Sequence, residues 1–348
     1  MTLDMRPGLD PRRLIRLMSM AIDRCSLDLS GLTVLTEAAS GAYVVTPVLA
    51  AIAGADVYAL ASGTAYASSE EIQRLTVELA RLGAVMDRIQ LIYRKDPAVV
   101  GASDIVTNSG QVRPIDAQMI AQMKRSSVVP LMYESWEYRR ADVDLQACRT
   151  RNIIVAGTNE RHPDVDVFSF LGQMALMQLH EAGIAVRGSH ILLLCDNVFG
   201  PFIMRDLKNA GAEITETRQL TTGALSPHCD AVILAMQPRD APVFTAVEAR
   251  LLSQEAPGAV LIQYWGDPDR TALAAAGVPV WPQEAPRAGH MGILPSALGP
   301  EPIVRLQAGG LKVGQILARG IDKASIEDLD LVQVLQRDEA AAPSGPLA

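Results

Sequence analysis

The sequence has few cysteines, few aromatic residues and no excess of positive charge. Its four cysteines, Cys25, Cys148, Cys195 and Cys229, are widely separated, so their spacing offers neither a disulfide framework nor a thiolate zinc site. Lys and Arg number 31 against 39 Asp and Glu, and the net charge of −8 lacks the positive field that holds a nucleic acid. We therefore expect no disulfide, no metal and no nucleic-acid partner.

Long apolar runs are missing as well. No segment reaches the roughly 18 consecutive apolar residues of a membrane-spanning helix, and residues 1–13 carry acids and prolines where a signal peptide is apolar. We expect a cytoplasmic protein without a membrane partner. The segment 337–348 has no apolar period and contains two prolines, which predicts a disordered tail.

What the chain does contain is an alternation of short β-branched runs with amphipathic stretches, within 348 residues of which 49% are hydrophobic. This alternation is typical of βα units that build a parallel sheet covered on both faces. The runs fall into two sets. The first set of predicted strands is 32–36, 57–61, 89–93, 105–107, 128–132 and 153–156, and the second is 191–194, 213–217, 231–235, 259–264 and 278–281.

Several stretches between these runs predict helices. Ser68 followed by two glutamates is typical of a capped helix over 68–82. Further helices are expected at 163–182, connecting the two sets, and at 200–210 and 303–319. The apolar face of 11–23 has two interpretations, a dimer contact or an ordinary helix packed on the core of its own domain.

Two segments of the sequence, 141–159 and 188–200, resemble the D-2-hydroxyacid dehydrogenases and the related formate and glycerate dehydrogenases. The segment 141–159, ADVDLQACRTRNIIVAGTN, is similar to the crossover that ends one domain of that family. The segment 188–200, GSHILLLCDNVFG, stands where the family has a strand and a glycine-rich turn. The resemblance implies an α/β fold of two Rossmann-like parallel-sheet domains, one flavodoxin-like and one NAD(P)-binding-like, with an interdomain cleft.

The resemblance also implies where the domains lie. The flavodoxin-like catalytic or substrate domain is expected over 1–163 plus about 320–336, and the nucleotide-binding-type domain over 164–319. Because this architecture usually pairs through its second domain, a homodimer is expected.

The glycine-rich turn departs from the family pattern. Where G-x-G-x-x-G places glycines for the tight turn, for pyrophosphate approach and for helix packing, this chain has Cys195, Asn197 and Gly200. The resemblance implies NAD or NADP on Asp196, Asn197, Val198, Phe199 and Gly200, with Glu216 as the acceptor for a ribose hydroxyl. Two alternatives stay open: Asn197 replaces the glycine by adopting positive φ while Asp196 caps the helix, or dinucleotide binding has been lost.

Two residues match catalytic positions that the resemblance implies. His290 lies in a loop rich in glycine and proline after the last predicted strand, and imidazole titrates near neutrality, which suits an acid/base role. Arg270 follows the strand 259–264 and is a candidate for clamping an anionic substrate group. Its alternative is a surface arginine paired with Asp267 or Asp269.

Polar loops in the first domain supply candidate substrate contacts. Asn108, Ser109 and Arg113 follow a predicted strand end, where open α/β sheets bind ligands, although a self-bonded turn is the plainer alternative. Residues 37–43 face the same edge. Glu134, a candidate catalytic carboxylate, and Trp136 stand where the family has a glycine-rich carboxylate loop. Because glutamates repel a carboxylate, we hypothesise a substrate with an amine or several hydroxyls.

These residues predict an NAD(P)-dependent oxidoreductase acting on a small polar metabolite in the interdomain cleft. The first alternative is a Rossmann-like ligand-binding or scaffold protein that has lost its dinucleotide. The second is a lyase, cyclase or isomerase that keeps NAD tightly bound.

Overall fold

The computed structural model describes residues 6–335 and divides them into two compact units. Unit 1 comprises 6–167 and 299–335, and unit 2 is Phe168–Leu298. The segment 303–319, assigned by the sequence to the second domain, belongs to unit 1, because Val304, Leu311 and Ile316 pack into the core of that unit. The predicted tail at 337–348 lies outside the described residues.

The sheet of unit 1 has the strand order β12-β6-β5-β4-β1-β2-β3 over the described residues. Its parallel strands are β1 (Thr33–Glu37), β2 (Asp56–Leu60), β3 (Ile89–Ile92), β4 (Ile105–Val106), β5 (Val128–Pro130) and β6 (Ile154–Thr158). The strand that sequence reasoning missed, β12 (Val332–Val334), pairs antiparallel with β6. From β1 the chain builds outward to β2 and β3 on one side and to β4, β5 and β6 on the other, so β1 and β4 flank the topological switch point.

The helices of unit 1 cover this sheet and confirm two expectations. They are α1 (Pro11–Arg24), α2 (Val45–Ile52), α3 (Ser69–Leu82), α4 (Pro97–Ala102), α5 (Ala117–Gln122), α6 (Leu145–Arg151), α11 (Glu301–Arg319) and α12 (Ile326–Leu331). The Ser68 side chain accepts from the Glu71 amide and caps α3 as predicted. The apolar face of α1, with Leu14, Leu17 and Met18, is buried in the core of unit 1 itself.

The sheet of unit 2 is parallel, in the order β11-β10-β9-β7-β8. Its elements are α7 (Leu171–Glu181), β7 (His190–Cys195), α8 (Gly200–Asn209), β8 (Glu213–Thr217), β9 (Cys229–Ala235), α9 (Ala246–Glu255), β10 (Val260–Trp265), α10 (Arg270–Ala275) and β11 (Val280–Trp281). The switch point lies between β7 and β9. The predicted helix 163–182 starts later, at Leu171, because Asp166 has a positive φ of 50° that breaks a right-handed helix.

Two parallel-sheet units therefore confirm the predicted α/β class. Over residues 6–335, no helix has the length and apolar character needed to cross a membrane.

Candidate functional site

In each unit, polar residues follow the two strands that flank the switch point. Glu37 ends β1, and Asn108 and Ser109 come shortly after β4. In unit 2, Asp196 follows β7 and Gln237 follows β9. Open α/β sheets bind ligands at this edge, so each unit offers one candidate site.

Glu37 is the carboxylate at the switch point of unit 1, and it is only 9% exposed. The backbone amide of Gln111 donates to it, and burial raises its pKa to about 7 although that amide and the Arg113 charge act in the opposite direction. Gly110 leaves room for the carboxylate, because a Cβ there would lie 1.4 Å from Oε2. Within residues 6–335 Glu37 forms no salt bridge, since Arg113 pairs with Asp142 instead.

Ser109 belongs to a buried hydroxyl network that joins β1 to β4. Thr107 Oγ1 donates to Thr36 Oγ1 at 2.8 Å, and the Thr107 and Ser109 hydroxyls are 2.8 Å apart. The Ser109 hydroxyl is also 3.4 Å from that of Thr36. This predicted substrate contact therefore lies beside Glu37 and also holds the strand ends together.

Asn108 and Arg113 meet through Tyr133 and Asp142. The Asn108 amide nitrogen donates to the Tyr133 hydroxyl at 2.5 Å, and that hydroxyl donates to Asp142 at 3.3 Å. Arg113 donates to the same Asp142 oxygen at 3.1 Å. The Asn108 amide oxygen is buried and has no hydrogen-bond partner in the described structure, which leaves one acceptor available at this edge.

Glu134, the predicted catalytic carboxylate, is tied to backbone and to β12. Its Oε1 accepts from the Glu160 amide at 3.1 Å, and its Oε2 accepts from the Gln333 side chain at 2.8 Å. Arg161 lies 3.7 Å from the same carboxylate. These bonds give Glu134 a structural task, and its catalytic role stays a prediction.

The loop after β5 that carries Glu134 is also backbone-strained. Met132, just before the loop, is a non-glycine residue with a positive φ of 23°. Trp136, the predicted substrate contact of this loop, lies in the 3-10 turn Ser135–Glu137 and is partly exposed.

Two further carboxyl groups lie buried near this edge of unit 1 and act on Tyr43 together with Glu37. Burial and the neighbouring Glu134 raise the pKa of Glu137 to about 7, and burial together with Glu137 raises the pKa of Glu160. Burial, Glu37 and Glu160 raise the pKa of Tyr43 to about 12. No group of three or more His, Cys, Asp or Glu within residues 6–335 is arranged to hold a metal.

In unit 2 the turn after β7 is bonded internally. Asp196 accepts from the Gln237 amide at 2.9 Å and forms a 3.2 Å salt bridge with Arg239. The Asn197 side chain donates to the Ala235 carbonyl at 2.7 Å and accepts from the Phe199 amide at 3.0 Å. Asn197 is not among the residues of positive φ, and α8 has Phe199 as its N-cap without a side-chain cap. The prediction that Asn197 replaces a glycine by adopting positive φ is therefore wrong. The prediction that Asp196 caps the helix is wrong as well.

The start of α8 does not fit a pyrophosphate. A dinucleotide needs free amides at this helix terminus, yet Pro201 has none and the Phe202 and Ile203 amides donate to the Phe199 carbonyl. The Gly200 and Asn197 amides face the buried Cys195 sulfur, whose pKa burial raises to about 11. These amides are therefore not available to a phosphate, and beside them stands the Asp196 carboxylate, itself paired with Arg239.

Other predicted cofactor residues do lie together. A Cβ on Gly200 would lie 2.1 Å from Glu216 Oε1, so the exposed Glu216 stands beside this glycine at the end of β8. Phe199 is buried and stacks on Trp265 with ring centroids 5.0 Å apart. Val198, between Asn197 and Phe199, is partly buried in the same turn.

His290 and Arg270 lie on the same sheet edge of unit 2 in different environments. The loop of His290 is anchored to the end of β10, because the Gly289 carbonyl accepts from Trp265 and the Gly289 amide donates to Asp267 at 2.8 Å. His290 itself is partly exposed. Arg270 donates to the Gln263 side chain at 2.7 Å and to the carbonyls of Pro282 and Gln283. Its guanidinium is engaged within unit 2.

Sequence reasoning placed residues 37–43 at this edge without selecting Glu37 or Tyr43 as site residues, and it missed Glu160 and Gln333. Glu37, Tyr43, Glu160 and Gln333 reach this edge through the fold. The available signal was an acid at the end of a β-branched run, with a glycine in the loop after β4.

The fold is that of two-domain Rossmann-like dehydrogenases and their relatives. Similar structures include a dipicolinate synthase subunit from Bacillus halodurans, 12% identical with a TM-score of 0.54 over 84% of this chain and 99% of that chain. A dipicolinate synthase chain from Bacillus subtilis is 11% identical, with a TM-score of 0.55 over 84% and 98%. A transhydrogenase from Sinorhizobium meliloti is 14% identical, with a TM-score of 0.50 over 86% and 96%.

These likenesses confirm the predicted resemblance in fold. No protein-family model matches the sequence, and a search of curated proteins finds no match.

Proposed function

We propose that this protein binds a small polar metabolite, bearing an amine or several hydroxyls, at the carboxyl edge of the unit 1 sheet. The observation that carries the proposal is Glu37, a buried carboxylate at the switch point with one backbone donor and no salt bridge within the described chain. Buried carboxylates without a partner are costly and cluster at functional sites. Above about pH 7 the ionised Glu37 and Glu137 would repel the carboxylate of a simple 2-hydroxy acid.

Isothermal titration of the purified protein tests this proposal. The ligands are small primary amines, polyols such as glycerol and erythritol, and pyruvate as a plain 2-keto acid. We expect binding by members of the first two classes and none by pyruvate. Tight pyruvate binding with neither amine nor polyol binding would contradict the proposal.

An NAD(P)-dependent oxidoreductase is the second candidate, and the dehydrogenase-like fold favours it. Glu216 beside Gly200 is the local observation in its support, because an acid there suits a ribose hydroxyl. Against it stand the internally bonded turn and the amides of α8 described above. We therefore assign no hydride-transfer step, and His290 as acid/base belongs to this candidate alone.

Fluorescence titration with NADH and NADPH separates the two candidates, after the purified protein has been checked for retained nucleotide. Micromolar binding would establish the cofactor and justify screening of substrates. Retained nucleotide would favour a lyase, cyclase or isomerase with tightly held NAD. Absence of both would leave ligand binding by unit 1 as the function.

A further inference from the structure

The unit 1 site contains two buried acceptors whose capacity the described chain does not use. Glu37 receives one backbone amide, from Gln111, although an ionised carboxylate can accept several hydrogen bonds. Asn108 is 2% exposed, and its amide oxygen has no partner in the described structure. Leaving a buried acceptor unpaired costs free energy, so a ligand that donates to both acceptors would recover part of that cost.

A continuous set of contacts connects both acceptors to Arg113. Glu37 lies against Gly110, whose carbonyl accepts from Arg113 Nε at 3.4 Å. Arg113 pairs with Asp142, which accepts from Tyr133, the partner of Asn108. The charge of Arg113 lowers the pKa of both Glu37 and Tyr133. The two acceptors therefore belong to one network of contacts at this edge of the sheet.

The charge balance of this site decides between a neutral and a cationic ligand. Arg113 is matched by its own salt bridge to Asp142, while Glu37 has no such partner in residues 6–335. Above about pH 7 an ionised Glu137 adds further negative charge around Tyr43. A hydroxyl brings a hydrogen-bond donor without charge, whereas an ammonium brings three donors and a positive charge.

We propose that the ligand carries a primary ammonium group, which donates to the Glu37 carboxylate and to the Asn108 amide oxygen. This inference rests on the proposed function and narrows its ligand class. The interaction is a charge-assisted hydrogen bond in a buried environment, the type that contributes most strongly to binding.

Such an ammonium site has a pH dependence of defined sign. With the pKa of Glu37 raised to about 7 by burial, its proton competes with the ammonium at acidic pH. Affinity for an amine should therefore rise from pH 5.5 to pH 8.5, by roughly 30-fold for a single carboxyl of this pKa. The other charged or titratable groups facing the cluster are Arg113, Tyr43, Glu137 and Glu160.

The experiment is isothermal titration of the full-length protein with ethanolamine, 1,3-diaminopropane, glycerol, erythritol and pyruvate at pH 5.5, 7.0 and 8.5. Glu37→Gln keeps the shape of the side chain and removes its charge. We expect it to weaken amine binding at least tenfold and to abolish most of the rise with pH. Asn108→Leu removes the second acceptor and should weaken amine binding about fivefold.

Glu78→Gln is the matched control, because Glu78 is an exposed glutamate of the same unit that pairs with Arg74. It should leave affinity and pH profile unchanged. Circular dichroism and thermal melting establish that each variant is folded. If Asn108→Leu does not fold, the pH profile of Glu37→Gln still decides.

The outcomes separate this inference from the proposed function. Polyol binding without amine binding overturns the ammonium site and keeps the proposed function. Amine binding whose affinity is unchanged in Glu37→Gln has the same two consequences. Binding of pyruvate alone, or of no ligand in the panel, counts against both.

Discussion

The two units place a carboxylate at the same topological position and treat it in opposite ways. In unit 2, Asp196 accepts from the Gln237 backbone and forms a salt bridge with Arg239. In unit 1, Glu37 is more deeply buried and receives one backbone amide without a salt bridge. The Asp196 carboxylate thus has its partners within the chain, whereas Glu37 keeps unused capacity.

This difference indicates what each switch point does. A carboxylate with a full set of internal partners stabilises a turn, and it removes the donors that a phosphate would need. A buried carboxylate without a salt bridge lowers the stability of the fold, and such groups persist where a ligand uses them. The comparison therefore separates a structural turn in unit 2 from a binding edge in unit 1.

The largest effect is expected for Gly110→Ala. The new methyl group would lie 1.4 Å from the Glu37 carboxylate, at a backbone φ of +36° that disfavours side chains. Strain and overpacking together should lower the free energy of unfolding by about 4 kcal/mol, measured by urea denaturation. In a double-mutant cycle, Glu37→Ala should recover the overpacking part. If the stability losses of the two single variants simply add in the double variant, the Glu37 carboxylate does not oppose a side chain at position 110.

Glu37→Gln should stabilise the protein without ligand above neutral pH. The pKa of Glu37 rises from its usual 4.5 to about 7 in the folded state because of burial, so folding binds a proton more tightly. The free energy of unfolding therefore falls as the pH rises from about 4.5 to about 7, by up to about 3 kcal/mol. Urea denaturation should find the variant more stable than wild type at pH 8 and similar near pH 4.5. Equal stability of the variant and the wild type at pH 8 would show that the ionised Glu37 side chain does not destabilise the folded state.

Asp196→Ala should destabilise unit 2 by about 2 kcal/mol. The change leaves the Gln237 amide and the Arg239 guanidinium without their shared acceptor. Asp240→Ala, an exposed aspartate in the same loop, should change stability by no more than about 0.5 kcal/mol. Chemical denaturation of both variants makes the comparison. If the Asp196 variant is as stable as the Asp240 variant, the internal partners of Asp196 do not stabilise unit 2, and the proposed difference from Glu37 is wrong.

The sequence predicts the strands of this fold well because β-branched runs and βα alternation are local signals. The predicted segment 213–217 coincides with β8, and Ser68 caps α3. The connecting helix is mispredicted because an apolar pattern cannot reveal the positive φ of Asp166. Strand β12 is short and pairs with a strand far away in sequence, so no local pattern announces it.

The candidate site depends more on tertiary contacts. Asn108, Ser109 and Arg113 are found from a strand end alone, since ligand sites follow strand ends. Glu37 becomes unusual only when Gly110 and the surrounding burial are known. Likewise, the sequence shows that Cys195 and Asn197 stand where the G-x-G-x-x-G pattern has glycines. It does not show the internal hydrogen bonds that occupy the turn.

The smallest effect is expected for Gly200→Ala, the counterpart of Gly110→Ala in unit 2. Its methyl group would meet Glu216 Oε1 at 2.1 Å, but Glu216 is exposed and can swing into solvent. Gly200 also begins α8 and is not among the glycines of positive φ, so alanine fits its backbone. We expect a stability change within about 1 kcal/mol, because relief of glycine flexibility offsets the displacement of one flexible side chain. A loss as large as that of Gly110→Ala would mean that Glu216 is held in place, and the second glycine would then be as restrictive as the first.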